Sequence, residues 1–163
     1  AAPGTRPPAT DPDGVDPLVT GRPEPARHPD WRPDVLAVIA VGGVLGSSAR
    51  YAVTQLIDVA PGAFPWATFW TNVSGSFALG LAVMVLLGRF PHSRLLRPFL
   101  ATGMLGAYTT FSAFAVETDL LVRDGALVVA LVYATATLPT TIAAAWTGIT
   151  LGKATSRRQR RTS

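Results

Sequence analysis

No cysteine occurs in the 163 residues, which excludes disulfides, thiolate metal sites and cysteine nucleophiles. Histidine is almost as scarce: His28 and His92 each sit beside proline, and two such residues give no basis for a histidine metal site. No histidine or paired carboxylates stand where a nucleophile or general base would be needed, so no enzyme is expected. Charge is also nearly missing from the apolar stretches. In total, 48% of the chain is hydrophobic despite a polar, proline-rich start, so the apolar residues must be concentrated further along. The net charge of +4 would suggest nucleic acid for a soluble protein. Its distribution instead reports membrane topology, and no nucleic-acid partner is expected.

Residues 1–33 are crowded with proline, glycine, aspartate and arginine and read as a disordered tail. The first apolar run begins only at Val35, too late for a cleaved secretory signal, so the tail is expected to be retained. Four apolar segments follow, from about Val35 to Val59, Ala67 to Leu87, Leu95 to Val122 and Ala126 to Leu151. Each has roughly the 20 residues needed to cross a hydrocarbon core of about 30 Å. The connections "APGAFP" and "RDG" are short, which makes sequential helices antiparallel. A soluble bundle would keep a charged face on each helix, and these segments have almost none. The fold class is therefore an all-α membrane protein with four transmembrane helices in residues 34–152, surrounded by lipid, followed by a basic tail over 153–163.

Arg6, Arg22, Arg27 and Arg32 precede the first span, and Arg89, Arg94 and Arg97 lie between or at the edges of the second and third. Lys153, Arg157, Arg158, Arg160 and Arg161 follow the fourth, whereas the two opposite loops together carry only Arg123. Basic residues accumulate on the cytoplasmic side, so both termini are expected there, with the chain multi-pass in the cell membrane.

Polar residues inside the spans are the candidate site. Arg50, in "GGVLGSSARYAV", is the one basic residue well inside a span; it reads either as a positional anchor or as a group that attracts an anion. Gly42, Gly43, Gly46 and Ser47 on the same helix permit close backbone approach to a neighbour. In the second span Thr68, Asn72, Ser76 and Gly80 recur every fourth residue and share a face. Asn72 carries both a donor and an acceptor and must find partners at mid-membrane, either in an interhelical bond or with an ion. Tyr133, Thr137 and Thr141 repeat that spacing in the fourth span as a polar stripe, and Pro139 frees a backbone carbonyl. In "GAYTTFSAF", residues 106–114, glycine and adjacent β-branched residues weaken the third helix, and a break would release carbonyls suited to a hard cation. Phe111 and Phe114 read as ordinary packing or as two rings whose positive edges face an anion.

These residues resemble the small bacterial fluoride channels of the Fluc or CrcB type. The resemblance runs from about Val41 to Leu151 and rests on "GGVLGSSARY", "TFWTNVSGSFALG" and "GMLGAYTTFSAF". The family's third motif commonly has a second glycine and a leucine where this chain has Ala107 and Tyr108. The resemblance implies passive fluoride efflux through an antiparallel, dual-topology-like dimer of four-helix subunits with a broken third helix and two pores. It also implies a structural, non-transported sodium ion on the backbone carbonyls of Gly106 and Thr109. By position, Asn72, Phe111, Phe114, Tyr133, Thr137 and Thr141 are implied to line the fluoride pore. Arg50 matches a vestibule arginine, and Thr68 belongs with it as a vestibule or structural residue. Glu117 matches a carboxylate near the pore, or else is an ion-pair or helix-end residue.

Fluoride is small and tightly hydrated, so a pore must replace its water with hydroxyl and amide donors and weakly positive ring edges. The charge bias adds an expectation of its own: a chain this asymmetric inserts in one orientation and pairs with a paralogue of reversed bias. The rival reading is a four-span dimeric exporter of cations or drugs coupled to protons. It needs an acidic residue deep in the first span, where only Asp58 stands, at the end. A scaffold subunit is a further rival, and it has no need of Asn72, the phenylalanine pair and the hydroxyl stripe together.

Overall fold

The long apolar segments fold as helices in the computed structural model, which describes residues 32–90 and 93–159. The expected tail up to Trp31 falls outside the described residues, as do His92, Arg160 and Arg161. Among the described residues there is no strand, and four candidate spans occur: Pro33–Leu56, Trp66–Arg89, Pro98–Arg123 and Leu127–Thr155. A 24-residue helix such as the first rises about 36 Å, enough to cross the hydrocarbon core. The first helix stops three residues short of the expected Val59, because Ile57 turns extended (φ −111°, ψ 94°) ahead of the Pro61-Gly62 turn. The last helix runs past the expected Leu151 to Gln159, where Lys153, Ala154, Arg157, Arg158 and Gln159 are good helix formers and no proline stops it.

The links behave as their lengths require. Gly62 takes a positive φ of 74° in the loop between the first and second spans. After Arg123, Gly125 (φ 77°) forms a two-bond helix stop: its own N–H reaches Val122 O at 3.1 Å, and the Ala126 N–H reaches Leu121 O at 2.9 Å. The chain reverses there in two residues, and the last two helices run antiparallel.

In lipid, apolar side chains gain nothing by leaving solvent for a neighbour helix, so association depends on close van der Waals packing. Two glycine-lined contacts supply it. Gly42 and Gly46 of the first span lie against the backbone of Phe99, Gly103 and Met104, and Gly103 faces Ile39 in return. Gly80 of the second span lies against Ala145 and Ile149, with Gly148 against Phe77 and Leu81. Gly43, also expected at a contact, has nothing within 4 Å of its Cβ position. Large apolar side chains such as Val44, Leu131, Ile142 and Trp146 point outward instead. A small aromatic core of Phe69, Phe114 and Tyr133, with Phe64 packed edge-on to Phe69 and Tyr133, ties the second, third and fourth spans together.

A methyl group at Gly46 would collide with the Met104 backbone. Gly46→Ala is therefore expected to lower stability by about 1–3 kcal/mol, while Gly43→Ala leaves it within about 0.5 kcal/mol. Thermal unfolding midpoints of the two variants in detergent check this; equal midpoints would show that the contact is not tight.

Candidate functional site

The centre of the third span is not continuous helix. Pro98–Leu105 has the wider π winding and runs into one α-helical turn, Gly106–Tyr108. Thr109 (φ −76°, ψ 152°) and Thr110 (φ −147°, ψ 120°) are then extended, and helix resumes at Phe111–Arg123. An extended residue at membrane depth exposes its N–H and C=O to a medium with no partners. Asn72 answers both: the Thr110 N–H donates to Asn72 Oδ1 at 2.7 Å, and Asn72 Nδ2 donates to Thr110 O at 2.9 Å. Only one orientation of the amide makes both bonds, so its assignment follows from the pairing.

This pairing changes the backbone on either side. In an unbroken helix the Thr110 N–H would serve Gly106 O and the Ala113 N–H would serve Thr109 O. Here the first goes to Asn72, and the second goes to Thr110 Oγ1 at 3.2 Å as the N-cap of the resumed helix. The carbonyls of Gly106 and Thr109 are thereby deprived of their helical donors. Backbone carbonyl oxygens of this kind suit a hard cation. Among the described residues no cluster of histidine, cysteine, aspartate or glutamate could hold a metal.

Beside the interruption lies a groove of about 200 Å³ lined by Asn72, Ser76, Thr109, Phe111, Phe114, Thr137 and Thr141, among others. Phe114 is buried, but Phe111 is 73% exposed, with ring centroids 5.7 Å apart. Thr137 Oγ1 is buried and has no hydrogen-bond partner, whereas Thr141 Oγ1 donates back to Thr137 O at 2.9 Å. Tyr133 does not line this groove. It is fully buried one turn away, its ring against Phe114 (5.1 Å) and its hydroxyl donating to Glu117 Oε2 at 2.7 Å.

Glu117 links the groove region to a second cavity. Its other oxygen accepts from Thr68 Oγ1 at 2.6 Å, so one carboxylate joins the second, third and fourth spans. A cavity of about 220 Å³ is lined by Arg50, Ser47, Thr54, Thr68, Thr110 and Glu117, among others. A wider one of about 440 Å³ opens beside the loop between the first and second spans, with Asp58, Glu117 and Asp124 on its wall. Arg50 makes no ion pair among the described residues; it faces the same space as Glu117. Asn72, Ser76, Phe111, Phe114, Thr137 and Thr141 are thus brought together, Arg50, Thr68 and Glu117 form an adjoining set, and Tyr133 stands between them. Sequence reasoning missed Thr110, which is bonded at N–H, C=O and hydroxyl. The signal was present: an asparagine at mid-span needs a backbone or ion partner, and the "TT" pair opposite is where a helix yields.

The fold and site define a multi-pass α-helical membrane protein whose polar groups gather around an interrupted helix. Residues 37–149 match the family described as CrcB-like protein, Camphor Resistance (CrcB), and the chain belongs to that family. It is 41% identical over 133 residues to "Fluoride-specific ion channel FluC 2" of Nocardia farcinica, covering 82% of this chain and 92% of that one. It is 42% identical over 125 residues to "Fluoride-specific ion channel FluC 2" of Streptomyces avermitilis, covering 76% and 79%. The same organism has a "Fluoride-specific ion channel FluC 3", 43% identical over 122 residues and covering 75% and 60%.

Asn72→Leu removes both bonds to Thr110 and strands two buried backbone groups. A loss of about 2–6 kcal/mol is expected, at about 1–3 kcal/mol per stranded group, read as a fall in the thermal midpoint in detergent. A midpoint equal to wild type would show that Asn72 does not hold the interruption.

Proposed function

We propose that this chain is a subunit of a fluoride-specific channel that lets fluoride leave the cell passively, lowering its cytoplasmic concentration and toxicity. The observation that carries this reading is the lateral groove, with an exposed Phe111, an unpartnered Thr137 hydroxyl and the Asn72 amide at membrane depth. Lipid cannot satisfy those groups, so a second protein surface closes the groove. The printed names of relatives at about 40% identity, each a fluoride-specific ion channel, support fluoride as the ion.

Two subunits in opposite orientations enclose two such paths. Asn72 Nδ2 has two N–H groups and gives one to Thr110 O, so the other is open to an anion. The Thr137 hydroxyl donates next, and the edges of Phe111 and Phe114 face the ion where no hydroxyl does. Thr141 continues the track along the groove, and Tyr133 backs it from behind Phe114, holding Glu117 in place. Tyr133 and Thr68 lead through Glu117 to the cavity in which Arg50 attracts the anion. The carbonyls of Gly106 and Thr109, freed by the diverted donors, fit a structural sodium ion that is not transported. When bound, such an ion supplies a fixed positive charge that offsets part of the cost of an anion at the midplane.

Hydrogen fluoride is a weak acid that enters uncharged from acidic surroundings and dissociates inside. An anion leak driven by the membrane potential then carries fluoride out. Arg32, Arg89, Arg94, Arg97 and Lys153 gather at the end from which the first helix starts and at which the last ends, against Arg123 at the other. This bias supports a reading with both termini on the cytoplasmic side of the cell membrane, and favours insertion in one orientation with a paralogue of reversed bias as partner. The two differently numbered channels of Streptomyces avermitilis show that one organism can carry more than one such channel, which is what pairing with a paralogue requires. The exporter reading has less support, because Asp58 lies beyond the first helix on the wall of the wider cavity.

Fluoride efflux from liposomes holding this chain and its paralogue, under a potassium gradient, is expected to require valinomycin. Asn72→Asp and Phe111→Ile are each expected to slow it at least tenfold. Efflux without a charge shunt would contradict a passive channel, and full rates in both variants would remove the pore assignment. Expressed alone in a fluoride-sensitive host, the chain is expected to show one tail orientation and no rescue; full rescue with both orientations would show that it pairs with itself.

A further inference from the structure

Tyr108 lies between Gly106 and Thr109, directly before Thr109, and it is the last helical residue before the chain turns extended. Its hydroxyl lies 3.1 Å from Ser74 Oγ on the second span. Ser74 has a single hydroxyl proton, and its closest acceptor is Trp70 O at 2.6 Å, the back-bond usual for a helical serine. With that proton committed, Tyr108 is the donor and Ser74 the acceptor. The ring packs against Gly75, where a Cβ would meet Tyr108 Cδ1 at 2.9 Å and Thr109 Cγ2 more closely still. Gly75 is therefore bare where Tyr108 and Thr109 rest on the second span.

Thr109 is consequently held on both sides by one helix. Tyr108 is tied to Ser74 before it, and Thr110 is tied to Asn72 after it. Its own hydroxyl and N–H both go to Leu105 O at 3.1 Å, which fixes the residue from the third side. What is left unrestrained is the Thr109 carbonyl, together with that of Gly106 one turn earlier.

We propose that the Tyr108–Ser74 hydrogen bond is a positioning device for cation binding: it clamps the interrupted segment so that the Gly106 and Thr109 carbonyls keep the spacing a sodium ion needs. The inference rests on the sodium reading above and goes beyond it, because it gives a role to a hydroxyl that the expected leucine at this position lacks. Tyr108 touches no ion in this arrangement and acts through the backbone on either side.

The test is the thermal midpoint of the assembled full-length channel in detergent, titrated with sodium chloride against N-methylglucamine chloride at constant ionic strength. Wild type is expected to be stabilised by sodium. Tyr108→Phe and Ser74→Ala are each expected to raise the half-stabilising sodium concentration about fivefold, the factor of one ordinary hydrogen bond. The double variant is expected to shift no further than either single one, because the two hydroxyls form one bond. A lowered midpoint with an unchanged sodium concentration in both single variants would mean a merely structural contact and would overturn the proposal. Shifts that multiply in the double variant would overturn the pairing. No sodium effect in wild type would remove the sodium reading and this inference together, an outcome distinguishable because it appears before any substitution is made.

Discussion

The pairing of one asparagine side chain with one backbone residue is the constraint from which the rest of the site follows. Two extended residues within a membrane span would leave polar backbone groups in hydrocarbon, at several kcal/mol each. Asn72 meets the N–H and C=O of Thr110 at 2.7 and 2.9 Å, and Thr110 in turn caps the helix that resumes at Phe111. Once those donors are diverted, the carbonyls of Gly106 and Thr109 are released, and the phenylalanine pair starts a new helix at the groove. A continuous third helix would have neither feature.

An interruption is useful only if its surroundings are rigid, and the glycine contacts supply that rigidity. The first span is held against Phe99–Met104 and the second against the fourth at backbone distance, and Gly75 brings Tyr108 and Thr109 directly onto the helix that carries Asn72. Glu117 adds a polar tie, accepting from Thr68 and Tyr133 across three spans. The groove and the Arg50 cavity therefore share walls, with Thr110 lining both. In the proposed path, the spare Asn72 N–H, the Thr137 hydroxyl and the ring edges of the phenylalanine pair stand on the groove side, and Arg50 stands in the adjoining cavity.

Much of this was legible in the residues. Spans follow from apolar length, the sharp reversal at "RDG" from glycine, and the shared face of Thr68, Asn72 and Ser76 from fourfold spacing, because each depends on local chemistry alone. What was not legible depends on packing between spans. Gly43 and Gly46 look alike in sequence, yet only Gly46 meets a neighbour, since its direction on the helix decides the matter. Tyr133 and Thr137 share a stripe, but the Phe64 and Phe114 rings close over Tyr133 and leave Thr137 at the groove. Thr110 and Tyr108 gave little signal by themselves, because their importance lies in partners 38 and 34 residues away.

The proposed function requires selective, passive conduction of fluoride past the donors and ring edges beside the interrupted helix. Its most direct measurement is the reversal potential of the reconstituted channel in a planar bilayer, with fluoride on one side and chloride on the other. A reversal potential set by fluoride, unchanged when a pH gradient is imposed, is the predicted result. A reversal potential that follows chloride, or that moves with the proton gradient, would contradict it.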